Sequence, residues 1–119
     1  MERKIKTLYV IHHSHTDIGY TDLQERVIDT QVDYIHTVLK MMKQPKYQDF
    51  RWNCETLFCV EEFWKEATEE EKENFCRLAS EGKIGISGSY LNFTDLLDSS
   101  IADERLAKWK AYFDAHHVP

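Results

Sequence analysis

The chain is organised around one stretch, Tyr9-Val10-Ile11-His12-His13-Ser14-His15-Thr16-Asp17-Ile18-Gly19-Tyr20. Its first three residues end an apolar run at 7–11 that is rich in strand-forming residues, as expected for a strand covered on both faces. The imidazoles and one carboxylate follow where that strand would open into a loop. Gly19 then precedes a predicted helix. The side chains able to bind a ligand therefore lie at the C-terminal end of a predicted strand.

The same loop is a candidate metal site. In an extended chain alternate side chains share a face, which places His13, His15 and Asp17 on one side of the loop. Imidazole nitrogen and carboxylate oxygen suit zinc or another first-row ion, and a site with few protein ligands leaves a coordination position open. We therefore predict a divalent metal ion here. A lone histidine such as His12 is more often a surface group or a hydrogen-bonded core group.

The clearest helical pattern in the chain begins at Leu23. Apolar side chains then recur at steps of three and four residues through Met42, which predicts one buried stripe. Thr21 and Gln24 have the spacing of a capping box at the start of this helix. Its apolar residues are core positions rather than a ligand surface.

The second half of the chain alternates short strands with helices. Thr68 with Glu71 predicts a capped helix start, and Gly82 fits the position just after a helix end. The predicted elements are a strand at 50–54, a helix from Leu57, a helix from Thr68 to Gly82, a weak strand at 83–88 and a last helix from Ser100.

Three strands separated by helices, with connections too long for hairpins, predict an α/β fold with parallel strands and right-handed crossovers. The C-terminal ends of such strands lie on one face, where these folds bind ligands. We therefore expect the loop at 13–20, Glu55 and the loop at 90–98 to meet. A complete barrel of β/α units needs about 250 residues, so the chain is predicted to form only the first part of one.

Composition restricts the class of function. A chain of 119 residues that is 42% hydrophobic is long enough for one packed domain. Its net charge of −6 argues against a nucleic-acid surface. The residues before the histidines are too few for a signal peptide or a membrane span, which predicts no membrane association and a cytoplasmic location. Three cysteines without a CxxC pair predict buried, reduced thiols.

Three sequence motifs resemble glycoside hydrolase family 38, the class II α-mannosidases. Residues 13–20 are similar to the family's opening HxHxDxG-aromatic motif. Two later stretches, 51–57 and 81–90, also resemble the family, in the family's order and at plausible separations. The resemblance covers most of the chain and identifies it as the N-terminal fragment, residues 1–119, of a family-38 catalytic domain.

The resemblance implies a zinc-dependent retaining α-mannosidase with an α-mannoside as substrate. His15 and Asp17 would be two of the zinc ligands, with His13 as a further candidate. Tyr20 would be the aromatic platform under the sugar, where the family usually has tryptophan. The family's nucleophilic aspartate and another zinc histidine would follow Pro119, so the resemblance implies no catalytic residue in this chain and no activity of the chain alone.

Carboxylates at the predicted strand ends are candidates for substrate contacts, because glycoside hydrolysis normally needs two carboxyl groups. Glu55 and Asp95 are predicted to bind substrate, and Asp98 lies in the same loop. Glu55 could equally be a structural hydrogen-bond partner. The family often has an acidic pair where this sequence has Thr94 to Leu97, and the general acid stays unassigned.

Other classes of function remain open. One is a metal-binding or interaction domain without catalysis, built on a half-barrel. Another is a metal-dependent hydrolase of the PHP type, which also begins with HxH after a first strand but usually carries a Ser-Asp-Gly stretch that this loop lacks. Whatever its function, an open three-stranded fragment would leave strand edges unpaired and Trp64, Trp109 and Phe113 without the neighbours of a closed barrel, which predicts a homo-oligomer.

Overall fold

The computed structural model describes residues 4–91 and 99–119, with side chains from residue 103 onward in the second segment. This part of the chain forms four helices, two short strands and one 3-10 turn. In chain order they are α1 (Gln24–Met42), a 3-10 turn (Pro45–Tyr47), β1 (Trp52–Cys54), α2 (Leu57–Glu66), α3 (Glu69–Ser80), β2 (Ile84–Ile86) and α4 (Ser99–Ala115). No helix in these two ranges combines the length and apolarity needed to cross a bilayer.

The two strands form a parallel pair, as the connection lengths predicted. Trp52, Asn53 and Cys54 lie opposite Ile84, Gly85 and Ile86, and α2 and α3 connect the strands. A side chain at Gly85 would clash with the Asn53 amide oxygen, which explains a glycine within this strand. The α/β class is confirmed, whereas a barrel stays a prediction.

The predicted first strand at 7–11 is not formed in the part of the chain described, which corrects the sequence-based expectation. Leu8 and Tyr9 are 80% and 86% exposed. The segment meets the sheet at one point, where the Asn53 amide donates to the His12 carbonyl oxygen at 2.7 Å. The Trp52 amide donates to the carbonyl oxygen of Lys83, the residue before β2. Because successive amides of a strand point to opposite edges, the contact between Asn53 and His12 lies on the edge of β1 that faces away from β2. An apolar run becomes a strand only through successive ladder bonds and covering side chains, and this run has neither.

The core lies between α1, α2 and α3 and the strand pair. The stripe of α1 is buried as predicted, and the three cysteines are buried and free. Among the largest fully buried side chains are Phe63, Phe75, Ile35 and Leu78. This burial is the main favourable contribution to folding.

An aromatic cluster joins α4 to α2 and α3, which corrects the prediction that its members are exposed. The Trp64 ring lies 5.4 Å from that of Trp109 and 5.9 Å from that of Phe113, and the latter two residues are each 7% exposed. Arg105 of α4 also pairs with Glu61 at 2.8 Å, and Tyr90 donates to the same Glu61 oxygen at 2.7 Å. The packing of these rings against one another removes them as a reason for self-association.

Helix ends confirm one predicted capping box and contradict another. The Glu71 amide donates to the Thr68 hydroxyl at 3.3 Å, and the Thr68 amide donates to the Glu71 carboxylate at 3.0 Å. At the start of α1, however, the cap is Leu23 without a side-chain bond. The Gln24 side chain instead packs beside Gly19, whose φ is +82°.

Candidate functional site

Backbone hydrogen bonds bring the histidine loop to the C-terminal end of β1. The bond from Asn53 to His12 fixes the start of the loop, and Glu55 follows directly after β1. The amides of Leu57 and Phe58 bond to the carbonyls of Ser89 and Tyr90, which holds the segment after β2 at the same end. The predicted meeting of these segments is therefore confirmed as far as residue 91. Asp95 and Asp98 lie outside the described residues.

A cavity of about 250 Å³ opens where these segments meet. It contains two of the three candidate metal ligands, His15 and Asp17, together with Glu55. Its other lining residues are Thr16, Ile18, Gln31, Thr56 and Leu91.

His15 is held between two carboxylates. Its Nδ1 is hydrogen-bonded to Oε1 of Glu55, and its Nε2 lies 3.3 Å from Oδ1 of Asp17. The side chain of Glu55 is 12% exposed, against 58% for His15 and 54% for Asp17. The interior contact is thus with Glu55, and the contact that faces the cavity opening is with Asp17.

The charges around His15 favour a positive group at this position. The hydrogen bond to Glu55, followed by the negative charge of that carboxylate, holds the pKa of His15 above its ordinary value, and Asp17 adds a smaller effect. A carboxylate accepts hydrogen bonds, so a hydrogen on Nδ1 satisfies the contact with Glu55. In the neutral ring, Nε2 then directs a lone pair at an Asp17 oxygen. A proton or a cation between these two acceptors would remove their mutual repulsion.

The loop backbone is held at Thr16 from both sides. Its amide donates to Oε2 of Glu55 at 3.3 Å, and its carbonyl accepts from Nε2 of Gln31 at 3.3 Å. Gln31 belongs to α1 and is only 8% exposed. The sequence pattern of α1 did not predict a role for Gln31. The available signal was its position four residues after Val27, where an amide side chain interrupts the apolar stripe.

His13 and Tyr20 lie apart from this cavity. Exposure alternates along the loop as predicted, with His13, His15 and Asp17 on the exposed side. His13 nevertheless lines a separate cavity of about 290 Å³ together with His12 and Ser14. Tyr20 is 91% exposed and lines neither cavity.

The donor set fits part of a zinc site. Two ligands of a tetrahedral zinc ion, each about 2.1 Å from the metal, lie about 3.4 Å apart, close to the separation of His15 Nε2 and Asp17 Oδ1. Across residues 4–91 and 99–119, no group of three or more histidine, cysteine, aspartate or glutamate side chains is arranged to hold a metal. These residues therefore offer two ligands to an ion that requires more.

Comparison with known proteins agrees with the three motifs. The family model described as the glycosyl hydrolases family 38 N-terminal domain matches residues 6–105. No curated protein and no solved structure matches the chain. The matched range includes the histidine loop, both strands and Glu55. The chain belongs to glycoside hydrolase family 38, and the match is to the family's N-terminal domain.

Proposed function

We propose that this chain forms the N-terminal part of the catalytic domain of a zinc-dependent retaining α-mannosidase. The observation that carries the proposal is the position of His15, whose Nε2 and the Asp17 Oδ1 converge at 3.3 Å in the cavity at the end of β1. Family membership places the reaction among glycoside hydrolyses and the substrate among carbohydrates. The zinc ion and the α-mannoside substrate are the parts of the proposal that go beyond family membership.

His15 and Asp17 would hold the zinc ion, with the remaining ligands supplied by residues outside the described part. When bound, zinc supplies Lewis-acid character and orients substrate oxygen atoms. His13 would join only after a change in the loop, because it lines a different cavity. We therefore assign two ligands to this chain.

Substrate contacts are proposed for Tyr20 and Asp95. The ring of Tyr20 is exposed and lies three residues after Asp17, so it offers a flat apolar face to a sugar. Asp95 would contact sugar hydroxyls from the neighbouring loop. Glu55 is a weaker candidate for substrate binding, since both of its oxygens already accept hydrogen bonds within the protein.

Retaining hydrolysis needs a nucleophilic carboxylate and an acid carboxyl group about 5–5.5 Å apart. Asp17 is committed if it binds the metal, and Glu55 is engaged with His15. We propose that the nucleophile follows Pro119, as the resemblance implies. The chain then contributes part of the metal site and part of the sugar-binding surface.

The metal assignment is tested by zinc content and turnover in the protein that includes the residues after Pro119. His15→Ala and Asp17→Ala should each lose zinc and hydrolysis of aryl α-mannosides. The matched control is His12→Ala, which removes an imidazole that lines the other cavity and should retain both. Stoichiometric zinc in a His15→Ala, Asp17→Ala double variant would show that the site is misplaced.

A non-catalytic metal-binding domain is the second candidate, favoured by the engagement of both cavity carboxylates, Glu55 and Asp17, with His15. The same experiment separates the two candidates. Zinc that depends on His15 and Asp17 without any glycoside turnover supports the binding domain.

A further inference from the structure

We propose that Glu55 is a positioning residue that fixes His15 in the tautomer whose Nε2 faces Asp17. It does so by accepting the hydrogen of His15 Nδ1, while its second oxygen holds the loop backbone at Thr16. The inference rests on the proposed function in one respect, namely that Nε2 is positioned in order to bind a metal. Its geometry depends only on this chain.

The burial of Glu55 supports a positioning role. Its side chain is 12% exposed, whereas His15 and Asp17 are both more than half exposed. It follows β1 directly and precedes Thr56, which is 6% exposed and begins α2 as its cap. A carboxylate anchored between a strand and a helix has a fixed position, and such a group can orient an imidazole on a loop.

The hydrogen-bond geometry defines which ring nitrogen is free. A carboxylate can only accept, so the hydrogen of a neutral His15 ring resides on Nδ1. The lone pair then resides on Nε2, the atom that lies 3.3 Å from Asp17 Oδ1. Metal-binding histidines commonly donate their second ring nitrogen to a carboxylate, which fixes tautomer and orientation.

A second contact extends the role of Glu55 from the ring to the loop. Thr16 lies between the two proposed ligands, and its amide donates to Glu55 while its carbonyl accepts from Gln31. The backbone that carries His15 and Asp17 is therefore held at its midpoint. Loss of Glu55 releases the ring and removes one of the two hydrogen bonds that hold its backbone at Thr16.

The tautomer is measured by NMR on metal-free protein with isotope-labelled histidine, at a pH where His15 is neutral. In the wild type His15 should be protonated at Nδ1. Glu55→Ala should convert most of it to the Nε2-protonated form, and Glu55→Gln, which keeps the shape of the side chain, should give a mixture. The control is Glu71→Gln, because Glu71 pairs with Nδ1 of His36 at 2.8 Å. That variant should alter His36 and leave His15 unchanged.

Zinc titration of the same variants, made in the protein that includes the residues after Pro119, separates this inference from the proposed function. Glu55→Gln should bind zinc about 10- to 100-fold more weakly than the wild type, and Glu71→Gln should bind it equally well. If no protein takes zinc but the His15 tautomer depends on Glu55, the positioning role holds and the zinc proposal fails. If zinc binds the wild type and both Glu55 variants with equal affinity, and the tautomer is unchanged, the positioning role is overturned and the zinc site remains. A wild-type His15 protonated at Nε2 would also overturn it.

Discussion

At the scale of single residues, His15 depends on its two carboxylate neighbours to different extents. The pKa of His15 is raised first by Glu55 and less by Asp17. We predict that the metal-free protein titrates His15 above 6.5, and that Glu55→Gln lowers this pKa more than Asp17→Asn does. Histidine NMR against pH measures both. A larger effect of Asp17→Asn would contradict the order of the two contacts.

The same shift determines how stability varies with pH. Because the folded-state pKa of His15 is raised, the folded state binds the proton more tightly than the unfolded state. The stabilisation is fully present below the unfolded value near 6.5 and is lost as pH rises through the raised pKa. His15 is more than half exposed, so solvent screening keeps this contribution small.

Gln31 provides a second prediction at this scale. Gln31→Met keeps the shape of the side chain but removes the donor to the Thr16 carbonyl. We expect the free energy of unfolding to fall by about 1 kcal/mol, the usual net value of one hydrogen bond. Urea unfolding of metal-free protein measures this, with Asp33→Asn on the exposed side of α1 as the neutral control. An unchanged stability of Gln31→Met would show that this bond does not hold the loop.

At the scale of elements, local signals predicted some features and failed for others. The Thr68 capping box involves residues three apart, so its prediction needed no tertiary information, and it is present. The predicted box of Thr21 and Gln24 has the same spacing, but it is not formed, because the Gln24 side chain packs beside Gly19. The run at 7–11 has the composition of a strand, yet strand formation depends on neighbours distant in sequence.

The end of α3 allows a prediction about one glycine. Gly82 has φ of +70° and its amide bonds to Ala79 while that of Lys83 bonds to Leu78, which is the Schellman pattern. Gly82→Ala should lower the free energy of unfolding by about 1–2 kcal/mol, because a side chain disfavours left-handed backbone. Urea unfolding measures this loss. Gly88→Ala is the control, since an added methyl group meets open space at both glycines but only Gly82 has a left-handed backbone. Equal stabilities of the two variants would contradict the strain at Gly82.

At the scale of the whole molecule, the family could be recognised from short sequence motifs, whereas the arrangement of the site could not be predicted from them. His15 and Asp17 stand out through the HxHxDxG pattern, which needs no structure. The separation of His13 from them, and the attachment of Glu55 to His15, depend on how the loop meets β1 and α1. Gln31 contributes from a helix whose pattern indicated only core residues.

Self-association is still predicted, but from a different surface. Leu8, Tyr9, Val10 and Ile11 form one contiguous exposed apolar run, and such runs beside a strand edge favour pairing between chains. We expect the 119-residue chain to form dimers or larger assemblies at tens of micromolar in sedimentation experiments. Val10→Lys should weaken them, whereas Leu23→Lys, at an isolated exposed leucine, should not. A monomeric wild type would refute this expectation.

Activity depends on residues that the proposal places after Pro119. Without a nucleophile, hydrolysis should be several powers of ten slower, so the 119-residue chain with zinc should not hydrolyse aryl α-mannosides, whereas the protein extended past Pro119 should. In the extended protein, Asp17→Ala should abolish turnover through loss of metal. Tyr20→Ala should mainly raise KM through loss of stacking area. Tyr9 is a similarly exposed tyrosine outside the loop, and Tyr9→Ala should change neither KM nor kcat. Robust zinc-dependent hydrolysis by the short chain would place the nucleophile among Glu55, Asp95 and Asp98, and Glu55 would then have to leave His15 to act.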